Sequence, residues 1–327
     1  MRRLPGVWCV FFCALFLLAA CSSDRGPTDI EPPPSNPSNP SSPSNPSTPS
    51  DSSTPPPAEW TPLIGRTFTV SKGATNTYKC TAFQADSDLY ITGFRLQAPE
   101  NSFHTLVTIS DAPFDATGDF DCTAASGMGI VSPARLIYAA GIGTDDYLFP
   151  SGTGIHVKAG QYVQLNVAGQ NLTGTADVVD TTEVLIKSGQ ASDVAAEAEM
   201  LFVGTFNINL PSDSQPHTAT GGCVQPADQR LLAILPTMNR LAIRQQFIVN
   251  HLGTPTSLLD TTFTVTHQQF YPVDDSLYDG DQVQLVAKYV NNTGSTVMFG
   301  DSFTAEWAFA ALYLTPVTGR TPFACTA

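Results

Sequence analysis

The chain has 327 residues, 42% of them hydrophobic and 13% charged, enough for two ordinary domains with real cores. Fifteen basic residues stand against 29 acidic ones, a formal net charge of −14. That balance offers nothing to a phosphate backbone and excludes nucleic acid as a partner.

The N-terminal residues belong to neither domain. Arg2 and Arg3 precede a 14-residue apolar run, Val7 to Ala20, too short to span a bilayer and ending in Leu18-Ala19-Ala20-Cys21. A basic end, a short apolar stretch and small residues before a cleavage point define an export signal over residues 1–20. The cysteine that follows makes the segment resemble a bacterial lipoprotein signal, with Cys21 as the lipidated residue and the membrane as its partner. Ser22, where an aspartate would signal inner-membrane retention, points to the outer membrane of the cell envelope.

Residues 21–58 are a Pro/Ser/Asn-rich linker. Pro37, Pro40, Pro43, Pro46 and Pro49 recur every third residue, the repeat of a polyproline II helix. Such a segment has no core and reads as a semi-rigid stalk or a disordered tether.

From Trp60 the chain reads as short β-strands divided by Gly, Pro, Asn and Asp turns. Strands are expected at Asn76–Phe83, Leu89–Gln97, His104–Ser110, Tyr162–Val167 and Glu183–Ile186, with Gly93 marking a bulge. They continue at Leu201–Leu210, Leu231–Leu235, Ala242–Val249, Thr261–Thr266, Val283–Tyr289 and Phe309–Leu314. Only Asp193–Met200 (DVAAEAEM) favours a helix. Many short strands without intervening helices predict an all-β fold of sandwiches. Cys9 and Cys13 leave with the signal. Cys80, Cys122, Cys223 and Cys325 remain, an even set in an exported chain, which implies disulfides and leaves three pairings open.

Four segments in the second half share one resemblance: LLAILPTMNRL (Leu231–Leu241), QQFYP (Gln268–Pro272), GDQVQLVAKYVNNTGSTVMFGDS (Gly280–Ser302) and AEWAFAALYLTP (Ala305–Pro316). In that order they are similar to the C-terminal domain of the copper type II, ascorbate-dependent monooxygenases, the family of peptidylglycine α-hydroxylating monooxygenase and dopamine β-monooxygenase. The resemblance extends over residues 65–327. It implies two tandem jelly-roll-like antiparallel β-sandwich domains, 59–195 and 196–327. It also implies the disulfides Cys80–Cys122 and Cys223–Cys325, with Tyr289 and Ala308 in place of a further bridge. In the family two coppers face each other across a solvent-filled cleft, one relaying electrons from ascorbate and the other hydroxylating a C–H bond.

Copper wants several imidazole or thioether donors at once. The resemblance places ligand positions at Phe103, His104, Ala168, Thr237, Asn239 and Trp307, and only His104 carries such a donor. Trp307 offers only an N–H donor. His156, His217, His251 and His267 form no alternative spacing, and Met238 and Met298 read as core. Glu306 keeps an acidic position, explained by a structural hydrogen bond. HExxH, GxSxG and phosphate-loop signatures are missing. Asn171-Leu-Thr173 and Asn291-Asn-Thr293 match glycosylation acceptors, accidental in a bacterial lipoprotein. The expectation is a non-catalytic envelope lipoprotein without catalytic residues or cofactor, binding an unidentified ligand or protein in the inter-domain cleft. The alternative is a copper- and ascorbate-dependent monooxygenase with displaced ligands, acting on a peptide or small molecule.

Overall fold

The computed structural model describes residues 59–123 and 134–326. The signal, Cys21 and the linker lie outside the described residues. Ten strands build the first half: β1 (Trp60–Val70), β2 (Thr77–Gln84), β3 (Leu89–Gln97), β4 (Ser102–Ser110), β5 (Gly118–Asp121), β6 (Arg135–Ala140), β7 (Tyr147–Leu148), β8 (Thr153–Val157), β9 (Tyr162–Gly169) and β10 (Val178–Ser188). Twelve follow: β11 (Ala196–Glu197), β12 (Glu199–Thr205), β13 (Asn209–Leu210), β14 (Pro216–Val224), β15 (Gln229–Met238), β16 (Ala242–His251), β17 (Thr254–Thr262), β18 (Tyr271–Leu277), β19 (Gln282–Val290), β20 (Val297–Met298), β21 (Ala308–Thr315) and β22 (Cys325–Thr326).

These strands form two tandem jelly-roll-like sandwiches. The first pairs a β1-β10-β3-β8-β11 sheet with a β5-β2-β9-β4-β6 sheet. The second pairs β18-β15-β21-β12-β22 with β14-β19-β16-β17. The disulfides are Cys80–Cys122 and Cys223–Cys325, one per sandwich.

Strand β3 runs over the expected residues, with the expected bulge. Lys187 pairs with Gly93 and Ser188 with Ile91, so Thr92 is the extra residue. A side chain at Gly93 would meet Leu148 Cδ2 at 2.7 Å and the Tyr147 carbonyl at 2.8 Å, because β7 lies directly alongside.

Three expectations fail. Residues 193–200 form no helix: a 3₁₀ turn covers Ala191–Asp193, and β11 and β12 take over from Ala196. Tertiary packing overrides the Ala/Glu propensity there. Ala198 and Met200 are buried in the core, and the buried Glu199 carboxylate accepts Gln229 Nε2 at 2.9 Å and Thr318 Oγ1 at 2.6 Å. The stretch Leu201–Leu210 is two strands, β12 and β13, divided after Thr205. Strand β17 ends at Thr262, and residues 263–270 lie outside any strand. Strand β11 pairs in parallel with β8, so residues 196–197 extend the first sandwich's sheet.

The sheet β18-β15-β21-β12-β22 has no wet face along its middle strands. Every residue of β12 and β21 is buried. Along β21 the period of two divides the side chains. Phe309, Ala311 and Tyr313 join the core of the first sandwich, while Ala308, Ala310, Leu312 and Leu314 fill the second. The Tyr313 hydroxyl crosses over to donate to the Ile137 carbonyl at 2.8 Å. Rings of Phe94, Tyr138, Tyr147, Phe149, Phe270 and Tyr313 pack through this layer, some stacked and some edge-to-face, at centroid distances of 4.7–6.4 Å.

Two long central strands, β9 and β19, are followed by an asparagine that ties the next turn. Asn171, after β9, donates Nδ2 to the Val70 and Ala176 carbonyls at 3.2 and 3.0 Å. Asn291, after β19, does the same to Leu210 and Ser295 at 2.7 and 2.9 Å. Both side chains are buried, and both begin the motifs that read as glycosylation acceptors.

Candidate functional site

Strands β2, β9 and β4 place Tyr78, Ala168 and His104 in one row. Tyr78 and His104 both pair with Ala168, from opposite sides of β9. Directly opposed residues of neighbouring strands share a face, and here it is the face toward the second sandwich. A bulge then adds a neighbour. Ser102 pairs with Gly169 and His104 with Ala168, which leaves Phe103 as the extra residue. Consecutive side chains Phe103 and His104 consequently line the same cavity. A regular strand would have sent them to opposite faces.

The opposite wall comes from β12, β15 and β21. Thr237 pairs with Phe309 and shares the cavity with it, together with Phe202, Phe323 and Trp307. Residues Phe299, Gly300 and Asp301 form its rim. The enclosed volume is about 40 Å³, room for a few water molecules at most. Aromatic side chains account for the tightness. Phe103 lies 5.4 Å from Phe303 and 6.3 Å from Trp307, and these rings pack over Ala168 and Ile142.

Five of the six sequence-predicted positions thus meet in one place, and the sixth does not. Asn239 follows the end of β15 and turns away from the cavity. Its Nδ2 donates to the carbonyls of Ser302, Phe303 and Ala305 at 3.3, 3.1 and 2.9 Å, and its Oδ1 accepts the Arg240 amide at 3.0 Å. The side chain holds the 302–305 loop, and its two N–H donors have no capacity left over. That loop in turn reaches the first sandwich: the Tyr78 hydroxyl donates to the Asp301 carbonyl at 2.6 Å, and the Phe303 amide to the Thr75 carbonyl at 3.1 Å.

Glu306 backs the same turn. Its buried carboxylate accepts the Leu241 amide at 2.7 Å and the Asn239 amide at 3.2 Å. Burial nevertheless pushes its pKa up to about 8, against the downward pull of those two amides and of Arg240. His104 is affected in the opposite sense. Burial holds its imidazole down to about 4, opposed by a hydrogen bond with Asn166, so it is neutral at pH 7. Asn166 also donates Nδ2 to both sulfurs of the Cys80–Cys122 bridge at 3.3 Å.

Copper does not fit this donor set. Phe103, Ala168 and Trp307 present carbon or an N–H donor, Thr237 presents a neutral hydroxyl, and the Asn239 amide lies outside the cavity with its oxygen on the Arg240 amide. One imidazole remains, and a single nitrogen cannot hold the metal against water. The other histidines stand apart, each with a local partner. His156 lies between Asp88 and Glu197 at 3.6 and 3.4 Å, His217 meets Asp213 at 2.8 Å, His251 meets Asp281 at 2.6 Å, and His267 meets Gln269. Among the described residues no three His, Cys, Asp or Glu side chains gather in a group that could hold a metal.

Met238 is core, as expected, but Met298 is not. It is exposed because β20 alternates: Val297 enters the second core beside Leu210, and Met298 points to solvent. Sequence reading also missed Tyr78, Asn166 and Phe303. Nothing local marks them, since each acquires its part only through strand register or a loop contact across the two halves.

No protein-family model matches the chain, and no curated protein matches it. Among solved structures it is similar to the major capsid protein P2 of bacteriophage PM2, at 11% identity over 80% of this chain and 100% of that one, with a TM-score of 0.35. The Sulfolobus turreted icosahedral virus structure follows at 10% identity, 77% and 91% coverage and a TM-score of 0.28. An infectious bursal disease virus VP2 subviral particle gives 10% identity, 82% and 75% coverage and a TM-score of 0.19. Likenesses at this level carry no argument about activity or assembly. Among the described residues no helix is long and apolar enough to cross a membrane.

Proposed function

We propose that the chain is a lipid-anchored protein of the bacterial cell envelope, carrying a two-sandwich scaffold that resembles the copper type II monooxygenases and using it for binding or structure instead of catalysis. The observation that supports this most is the Phe103–Trp307 pair, 6.3 Å apart over Ala168, with aromatic packing at the positions where the resemblance implies metal ligands. A ligand suited to such a cavity is apolar and small, or is one apolar side chain of a protein partner.

Metal analysis of protein purified from a copper-replete periplasm, with ascorbate-dependent hydroxylation assayed beside it, tests the reading. The expected result is less than stoichiometric copper and no hydroxylation. Tight copper at one or two per chain would overturn it in favour of a monooxygenase with displaced ligands. The anchor is tested separately: a Cys21→Ala variant should leave the membrane fraction, and its full retention there would count against lipidation.

A further inference from the structure

The two-residue turn between β16 and β17 is Leu252-Gly253, and both residues have positive φ, 51° and 85°. A turn with that pairing favours Asn, Asp or Gly at its first position, because a branched side chain there crowds its own backbone. Leucine also gains nothing from burial in this molecule, being 91% exposed. Backbone strain and exposed apolar surface are both unfavourable in the free chain, and no contact within it offsets either.

Two more exposed apolar side chains share that end of the second sandwich. Tyr278 is 47% exposed, with its ring 4.8 Å from that of His251. Val224, 58% exposed, precedes Gln225, whose amide donates to the Asp281 carbonyl at 2.7 Å, while His251 Nδ1 meets the Asp281 carboxylate at 2.6 Å. Val224, Leu252 and Tyr278 therefore surround one knot of contacts.

The rim of this tip is acidic. Asp228 and Asp279 are both exposed, joined by the Asp279 amide donating to Asp228 Oδ1 at 2.8 Å, and neither has an ion-pair partner among the described residues. His251 and Asp281 pair with each other. Arg320 reaches Gln225 Oε1 at 3.3 Å but lies 3.9 Å from the buried Glu199 carboxylate. On a chain of net charge −14 the tip would repel an anionic bilayer and a second copy of itself.

We propose that Val224, Leu252 and Tyr278 form a docking tip for a protein partner that presents an apolar socket edged by lysine or arginine. Such a socket buries the three side chains and neutralises Asp228 and Asp279, so the charges steer the encounter and the leucine anchors it.

The test places a photo-crosslinking side chain at the exposed position 226 (Pro226→p-benzoylphenylalanine) in the full chain, irradiated in the envelopes of cells that make it. The expected product is one saturable adduct with a second protein, whose labelled peptide holds Lys or Arg beside an apolar run. High salt or Leu252→Asn should cut its yield at least about fivefold, as loss of a buried anchor does. The same Leu252→Asn change should raise Tm by about 2 °C, since asparagine suits the turn. Adducts only with lipid or with a second copy, a yield indifferent to Leu252→Asn, a fall in Tm on that substitution, or no adduct at all would each overturn the proposal.

Discussion

The Glu306 carboxylate accepts the Leu241 amide at 2.7 Å from a fully buried position, and no salt bridge reaches it among the described residues. Its pKa is raised from 4.5 to about 8, so the folded chain keeps a proton that the unfolded chain releases. Stability should consequently fall as pH rises from about 4.5 to about 8, and be level outside that window. The loss is on the order of 3–5 kcal/mol. Thermal melts across this range should show the slope, and Glu306→Gln should remove most of it. An equal slope in the variant would place the proton elsewhere.

Asp180 has the same sign over a lower window. It is fully buried in β10, and burial raises its pKa to about 6 against the pull of the Thr181 amide. Stability should fall between about pH 4 and pH 6 on its account, and Asp180→Asn should stabilise the chain at pH 7 by about 2 kcal/mol. Urea unfolding at both pH values measures this. No gain at pH 7 would mean that the carboxylate is compensated in the folded state.

Replacing Asn239 should be expensive although it touches nothing in the cavity. Asn239→Ala removes one amide that serves three carbonyls, for an expected loss of about 2–3 kcal/mol. Because the 302–305 loop reaches Thr75 and Tyr78, hydrogen exchange should accelerate at the Phe303 amide as well. Placing histidines at positions 237 and 239 together should create no copper site, since a side chain at 239 faces this loop and not His104.

Trp307→Met tests the aromatic packing. The indole lies against Phe103 and Phe303 around Ala168, so its truncation should destabilise by roughly 1–3 kcal/mol. Enlarging the cavity in this way should also let a small apolar probe such as benzene bind, which titration calorimetry would detect.

The strand framework was legible because its signal is local. Leu89–Gln97 carries β-formers, alternation and a bulge glycine, and each survives in β3. The cavity was half legible. Resemblance brought Phe103, His104, Ala168, Thr237 and Trp307 to notice, and they do converge. Residue spacing could not reveal that Asn239 leaves the row, because this depends on where β15 ends and on a loop more than sixty residues away. Asp180 was invisible for a related reason. In sequence it is an ordinary acidic residue between Val179 and Thr181, and only the packing of β10 beneath Phe68 and Val70 strips it of solvent. The helix expected over 193–200 failed in the same way, overridden by Ala198 and Met200 entering the interface.

The buried asparagines after β9 and β19 bear on how the protein can be made. In each, the side-chain nitrogen that an oligosaccharyltransferase would modify is the one that closes the following turn, on Val70 and Ala176 in one sandwich and on Leu210 and Ser295 in the other. A sugar attached during translocation, before the strands pair, would leave that nitrogen no room to return to its carbonyls. Production in yeast or animal secretory pathways should therefore yield glycosylated, misfolded chains, and replacing Thr173 and Thr293 with alanine should rescue the yield there, with loss of the Thr293 hydroxyl's bonds to Asn291 Oδ1 and the Ser295 carbonyl.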